Sequence, residues 1–154
     1  MPTRRAHARW DGTIKAGKGE VDFGNGAFKG AYSFASRFED GRGTNPEELL
    51  GAAHASCFAM ALSLTLSQSG LSPESVDVSA HVSVMPHDGG FKITKSHLVC
   101  EAEVPGIDEA TFMKQAHAAK AGCPVSRALA GTEITLEARL AGARVADSPS
   151  APGR

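Results

Sequence analysis

One long apolar stretch, residues 44–70, constrains the fold of this chain more than any other feature. Asn45 is a good helix N-cap, Pro46 suits the first helical position, and Glu48 stands where a capping box places an acid. Apolar residues then recur at three- and four-residue steps and also occupy the remaining faces. Because a helix that is apolar nearly all round is buried, we expect a central helix here with Cys57 at its middle.

Length and composition exclude several classes of protein. A chain of 154 residues has the size of one domain, which we expect to span residues 1–141, followed by a disordered polar tail over residues 142–154. A net charge of −1 with scattered basic residues argues against nucleic-acid binding. The helix over residues 44–70 contains His, Ser and Cys and lacks the flanks of a membrane span, and no signal peptide is apparent. Three cysteines, few and odd in number, argue against a secreted disulfide scaffold, so we expect a cytoplasmic protein without a membrane partner.

Strand patterns stand on both sides of the central helix. Before it, alternating apolar residues predict strands over residues 6–10, near residues 21–23 and over residues 32–38. After it, residues 76–84 and 91–104 predict a hairpin across Asp88-Gly89-Gly90, with a bulge where the apolar phase changes near Lys95. A helix from Asp108 to Gly122, a short helix after Cys123 and a strand over residues 134–140 complete the order. The pattern predicts an α+β fold with helices on one side of a mostly antiparallel sheet.

The three cysteines have different predicted surroundings. Burial in an apolar helix raises the pKa of Cys57, so a cation must be brought to this thiol if it is to act as a nucleophile. Cys123 caps a short helix whose positive end favours a thiolate. Cys100 lies among apolar strand residues and is expected to pack as a small hydrophobe. By position, Cys57 and Cys123 are either an attacking and a resolving thiol or two inert buried residues.

Each of several other residues has more than one possible role. Arg37 is either a solvated charge at a strand edge or a functional cation. His54, one turn before Cys57, is either a supporting residue, a base, or a zinc ligand together with Cys57 and Cys123. Four phenylalanines either fill the core or line an apolar channel: Phe34, Phe38, Phe58 and Phe112.

The segments NPEELLGAAHASCFAMALSL and AKAGCPVSRAL resemble the two signature stretches of the OsmC/Ohr family, the osmotically inducible and organic-hydroperoxide-resistance proteins. The resemblance is strongest to the OsmC branch. It extends in order over most of the chain through HARWDG, GKG, SRFEDGRGT, DGGFKITK, VPGID and EITLEARL. It implies an OsmC-like α+β fold, in which a mostly antiparallel sheet surrounds a long cysteine-bearing helix, and an intertwined homodimer with active sites at the interface.

The resemblance also implies a thiol-dependent peroxidase that reduces organic hydroperoxides, and hydrogen peroxide less well, without a cofactor or metal. The peroxidatic cysteine falls on Cys57 and the resolving cysteine on Cys123. The catalytic arginine falls on Arg37, and its glutamate partner falls on Glu47. An external dithiol, in this family the lipoyl groups of lipoylated proteins, would reopen the disulfide.

The spacing of these residues raises a geometric question. Glu47 and Cys57 are ten positions apart, which is about 15 Å along a straight helix. Arg37 therefore contacts both only if the helix is irregular or if the acid, Glu47, comes from a second subunit. Two other classes of function stay open: a dimeric module that binds an apolar ligand or senses oxidation without turnover, and a metal-stabilised structural protein.

Overall fold

The chain is described by a computed structural model that covers residues 1–141. Its elements are β1 (Ala6–Asp11), β2 (Lys18–Phe23), β3 (Lys29–Tyr32), α1 (Phe34–Phe38), α2 (Pro46–Gln68), β4 (Ser75–His87), β5 (Gly90–Glu103), α3 (Glu109–Gly122), α4 (Pro124–Ala128) and β6 (Glu133–Leu140). This order confirms the predicted α+β class. The tail predicted to be disordered, residues 142–154, lies outside the described residues.

The strands form two sheets rather than the single sheet that the sequence suggested. One contains β1, β2 and β3 in antiparallel order, and the other contains β4, β5 and β6. In the first sheet Val21 is buried, whereas Phe23 of β2 and Ile14 in the connection between β1 and β2 are exposed. Most of the first sheet therefore contributes little to the core of its own chain.

The prediction of a strand over residues 32–38 is wrong, because most of this segment forms α1. Ser33 caps the helix: its Oγ accepts a hydrogen bond from the Ser36 N–H at 3.1 Å, and its own N–H donates to Ser36 Oγ at 2.8 Å. These local bonds satisfy backbone groups at the start of a helix and outweigh the alternation of apolar residues. The consequence is that Arg37 lies in the last turn of a helix and not on a strand edge.

The long helix α2 begins and ends close to the predicted bounds. Asn45 caps it by accepting a hydrogen bond from the Glu48 N–H at 2.8 Å. A stripe at three- and four-residue steps faces the interior: Gly51, His54, Phe58, Leu62 and Leu66. The opposite face is not buried as we expected, since Met60 and Leu64 are 75% and 57% exposed. Within residues 1–141, α2 is long and apolar enough to cross a membrane, but here it packs on β4 and α3 as the core helix.

The hairpin of β4 and β5 confirms both features predicted for it. Asp88 and Gly89 have positive φ angles of 45° and 77°, as in the tight two-residue turns that match the twist of paired strands. Further along, the register shifts because Ser83 faces Lys95 while Val84 faces Ile93. This bulge changes which face of β5 is apolar, so that the second half of the strand lies on the core.

The core lies between the second sheet and helices α2 and α3. Eleven buried residues form it: Phe58, Leu62, Leu66, Leu98, Cys100, Ala102, Val104, Phe112, Ala116, Ala119 and Cys123. Strand β6 runs parallel to β5, and the connection between them passes through α3 and α4. This connection brings the junction of α3 and α4, where Cys123 lies, against α2.

Candidate active site

The fold brings Cys57 and Cys123 into direct contact. Cys57 lies half-buried in the middle of α2, whereas Cys123 is completely buried at the junction of α3 and α4. The two side chains lie close enough that each shifts the pKa of the other. No disulfide joins them, and Cys100 packs in the buried core on β5, as predicted. The pair is therefore positioned for the exchange of a proton and for formation of a bond between the sulfurs.

The two thiols have pKa values shifted in opposite directions. Burial raises the pKa of Cys57, and donation to Cys123 adds to this effect, while the Val125 N–H lowers it. Burial also acts to raise the pKa of Cys123, but the Ser126 N–H, the Cys57 thiol, the Ser126 hydroxyl and the Val125 N–H together lower it. Each of these backbone N–H groups makes only a weak contact with the sulfur, because sulfur is a poor hydrogen-bond acceptor. Accordingly, Cys123 makes no regular side-chain cap bond. In the single chain, the thiolate is therefore favoured on Cys123.

His54 is the largest polar side chain in the interior near this pair. It is completely buried, and both ring nitrogens have hydroxyl partners: Nδ1 lies 2.7 Å from Ser96 Oγ and Nε2 lies 2.9 Å from Ser126 Oγ. Burial lowers the pKa of His54, so the ring is neutral near neutral pH. No pattern in the sequence indicated Ser96 or Ser126 as partners of His54, since they are 42 and 72 positions away from it.

Arg37 and Glu47 form an ion pair within one chain. The Arg37 Nη2 lies 2.8 Å from Glu47 Oε1, and Arg37 Nε lies 3.3 and 3.2 Å from the two carboxylate oxygens. Glu47 is almost fully buried in the first turn of α2, and the Arg37 side chain is 34% exposed. The sequence left open whether this pair forms within or between subunits; the contact is within the chain.

The structure does not bring this ion pair to the cysteines of its own chain. Glu47 begins α2 and Cys57 lies ten residues further on, about 15 Å along the helix axis. Among residues 1–141, no positive side chain lowers the pKa of Cys57. The expectation that Arg37 lowers the Cys57 pKa is thus not met inside one chain, because α2 is a regular helix that holds the two groups apart.

The phenylalanines divide between the core and the surroundings of Arg37. Phe58 and Phe112 are completely buried in the core. Phe34 and Phe38 stack with ring centroids 5.0 Å apart, and Phe38 also stacks on Phe91 at 4.6 Å. A cleft of about 200 Å³ adjoins them, lined by Trp10, Ile14, Tyr32, Ser33, Phe34, Arg37, Phe38 and Pro46. Arg37 is therefore bordered by apolar side chains.

The zinc ligands considered from the sequence do not assemble. His54 directs its two nitrogens to Ser96 and Ser126, and the sulfurs of Cys57 and Cys123 contact each other. In the part of the chain that the structure describes, no group of three or more His, Cys, Asp and Glu side chains is arranged to hold a metal ion.

Comparison with known proteins identifies the family. Residues 39–138 match the family described as OsmC-like protein. The chain belongs to the OsmC family. It is 51% identical to the peroxiredoxin OsmC of Escherichia coli over 138 residues, which is 89% of this chain and 96% of that protein. It is also 35% identical over 98 residues to an organic hydroperoxide resistance protein of Xanthomonas axonopodis, covering 62% of this chain and 67% of that one.

A solved structure of the family has the same fold. The organic hydroperoxide resistance protein OhrB of Bacillus subtilis superimposes with a TM-score of 0.72 at 28% identity, covering 89% of this chain and 98% of that one. The OsmC-like fold inferred from the sequence motifs is thereby confirmed.

Proposed function

We propose that this OsmC-family protein is a thiol peroxidase that reduces organic hydroperoxides to alcohols. The observation that carries the proposal is the juxtaposition of Cys57 on α2 and Cys123 at the junction of α3 and α4, close enough for each thiol to shift the pKa of the other. The names of the relatives, a peroxiredoxin and an organic hydroperoxide resistance protein, support the same activity. A sequence with three cysteines, few and odd in number, favours a reducing compartment, which we take to be the cytoplasm.

Exposure and proton affinity assign different roles to the two thiols. Cys57 is the half-buried sulfur that a peroxide can reach, so we assign it as the attacking thiol. Cys123 is buried and has the lower pKa, so its thiolate can accept the Cys57 proton as attack begins. The Cys57 sulfur attacks the distal oxygen of R–O–O–H, the O–O bond breaks, and the alkoxide takes up the proton and leaves as alcohol. Cys57 is thereby oxidised to a sulfenic acid and the peroxide is reduced.

Resolution of the sulfenic acid requires the second thiol. The Cys123 thiolate attacks the Cys57 sulfur, an S–S bond forms, and the sulfenic oxygen leaves as hydroxide, which takes up a proton from solvent to become water. An external dithiol then reduces this disulfide by exchange and becomes a disulfide itself. We propose lipoyl groups of lipoylated proteins as that dithiol, as the family resemblance implies.

Arg37 and Glu47 enter the site in our proposal through a second copy of the chain. Because they lie about 15 Å along α2 from the Cys57 of their own chain, we propose an obligate homodimer that places Arg37 of one subunit beside Cys57 of the other. Exposed apolar residues that need covering support this assembly: Ile14, Phe23, Met60 and Leu64. The guanidinium would then stabilise the Cys57 thiolate and the negative charge that develops on the peroxide oxygens.

The organic part of the substrate has a matching surface. The rings of Phe34 and Phe38 and the cleft beside Arg37 are apolar, whereas hydrogen peroxide has no group to bind there. This arrangement supports a preference for organic hydroperoxides.

The test is turnover of cumene hydroperoxide with dihydrolipoamide as the reductant. We expect Cys57→Ser to lose activity and Cys123→Ser to become overoxidised after a few cycles. Cys100→Ser is the matched control and should remain close to native, because Cys100 lies on β5 and its pKa is shifted by burial, Asp77 and Glu101 and by neither thiol. A native protein that is oxidised once and then stops, with dithiol present, would contradict the enzyme and favour a redox sensor or ligand-binding module.

A further inference from the structure

The ion pair of Arg37 and Glu47 depends on how two helices are held together. Arg37 lies in the last turn of α1, Glu47 lies in the first turn of α2, and residues 39–45 connect the two helices. A helix of five residues makes few hydrogen bonds of its own, because the backbone groups at its ends have no partner within it. The direction in which α1 presents Arg37 is therefore set by contacts between α1, the connection and α2.

Asn45 contacts both helices with its side-chain amide. Its Oδ1 accepts a hydrogen bond from the Glu48 N–H at 2.8 Å, which caps α2, and its Nδ2 donates to the Ser36 carbonyl oxygen at 3.1 Å. Ser36 directly precedes Arg37, and Asn45 stands two residues before Glu47. One amide thus joins the peptide beside Arg37 to the start of the helix that carries Glu47.

The double contact requires an amide group. A capping residue needs only an oxygen that accepts a hydrogen bond, and Ser or Asp supplies one as well as Asn does. Asn adds an NH2 group that donates while its oxygen accepts. The neighbouring link is less definite, since the Ser36 hydroxyl lies 2.8 Å from the Thr44 carbonyl oxygen and 3.1 Å from that of Ser33 and has one proton to give. The Asn45 amide therefore makes the dedicated bond between the two ends of the connection.

We infer that Asn45 is a positioning residue, which sets the direction of the Arg37 guanidinium by bonding the end of α1 to the start of α2. This inference rests on the proposed function, in which Arg37 stabilises the charge that develops on the peroxide. The Asn45 amide is engaged by Ser36 and Glu48, so its effect on the reaction passes through Arg37. Arg37 in turn directs its Nε and Nη2 atoms at the Glu47 carboxylate.

The experiment observes Arg37 directly, without peroxide. The Arg37 Nε–H donates to Glu47, and its nitrogen–proton NMR signal is identified by its absence from Arg37→Lys. Asn45→Ser and Asn45→Asp each keep an oxygen that caps α2 but lack the donating NH2 group. We expect exchange of the Arg37 Nε proton with solvent to become about fivefold faster in both variants, as for the loss of one hydrogen bond. One variant is neutral and the other is charged, so an effect common to both reports the lost donor.

Asp108→Ser is the matched control. Asp108 caps α3 by accepting a hydrogen bond from the Thr111 N–H at 2.9 Å, and Ser is again an equivalent cap. This substitution should leave the exchange of the Arg37 Nε proton unchanged. Unchanged exchange in either folded Asn45 variant would overturn the inference, and so would an equal acceleration in Asp108→Ser. Asn45→Asp, which keeps the shape of the side chain, serves if Asn45→Ser does not fold.

A kinetic measurement separates the positioning role from the proposed function. The single-turnover rate constant for oxidation of Cys57 by cumene hydroperoxide should fall about fivefold in Asn45→Ser. In an Arg37→Lys background the same substitution should have no further effect, because Asn45 acts through the guanidinium, and an equal loss there would contradict the inference. If Arg37 exchange responds to Asn45 but the native protein does not reduce peroxide, the peroxidase proposal fails and the positioning role stands. Peroxide reduction with unchanged exchange in the Asn45 variants would do the reverse.

Discussion

Arg37 and Glu47 hold each other in one chain, with the Nη2–Oε1 distance at 2.8 Å, although neither is near the Cys57 of that chain. The pair joins the last turn of α1 to the first turn of α2. Glu47 therefore fixes the direction of the partly exposed Arg37 guanidinium.

Glu47→Gln should reduce peroxidase activity more than it reduces stability. The substitution keeps the size of the side chain but removes the charge that holds Arg37, so we expect kcat/KM for cumene hydroperoxide to fall about tenfold or more, as for loss of a charge-assisted hydrogen bond. The loss of stability should be smaller than for a fully buried pair, because Arg37 is one-third exposed. Steady-state kinetics and urea unfolding measure the two effects.

The matched control for Glu47 is Glu20→Gln, which breaks the exposed Lys29–Glu20 ion pair on the first sheet. Exposed ion pairs contribute little, so neither kinetics nor unfolding should change. Equal effects of the two substitutions would show that Glu47 has no special relation to the site.

Ser33→Ala should destabilise α1 and displace Arg37. Loss of an N-cap hydroxyl costs about 1 kcal/mol of unfolding free energy, and the helix it caps is only five residues long. Activity should fall together with stability, because Arg37 lies on this helix. Ser79→Ala, an exposed strand hydroxyl, is the control and should alter neither quantity in urea unfolding and turnover assays.

Leu64→Glu should separate the proposed homodimer. Leu64 is 57% exposed in one chain, and a charge placed on it would be buried without a partner at the interface. We expect the dimer dissociation constant to rise at least about tenfold in analytical ultracentrifugation and activity to fall as monomer forms. His117→Glu, on the exposed side of α3, should remain dimeric. A native protein that sediments as a monomer at micromolar concentration would count against the dimer.

Stability should fall as the solution becomes acidic because His54 is buried in its neutral form. Its pKa is lowered from the ordinary value of 6.5, so the unfolded chain binds this proton at a higher pH than the folded chain does. The contribution is fully present above pH 6.5 and is lost as pH falls from there toward the folded pKa. His54→Gln should flatten this part of the stability profile, measured by urea unfolding at several pH values. His97→Gln should leave the profile unchanged.

The elements with strong local signals were predictable from the sequence. The helix around Cys57, the Asp88-Gly89 turn and the bulge opposite Ser83 follow from capping, turn and periodicity rules that act over a few residues. The strand expected over residues 32–38 was wrong, because alternation carried no information about the hydrogen bonds between Ser33 and Ser36.

The site was predictable in part. The family motifs named Cys57, Cys123, Arg37 and Glu47 as one site, and the structure brings the first two together and the last two together, whereas the roles of these residues stay predictions. The helical rise predicted the distance of about 15 Å between Glu47 and Cys57, but it left open whether the helix is irregular or the acid comes from a second subunit. The partners of His54 were not predictable, because they come from β5 and α4 and no rule of spacing joins such distant positions.

The two sulfurs are buried to different extents, and this difference would decide which of them a reductant attacks in the proposed cycle. Cys123 lies completely buried beneath Cys57, which is partly open to solvent. In the proposed cycle, an incoming dithiol would therefore approach the Cys57–Cys123 disulfide from one side, so its first covalent link would form with Cys57 and expel Cys123 as the leaving group. The leaving sulfur is the one that is already stabilised as an anion, so attack from this side expels the better leaving group.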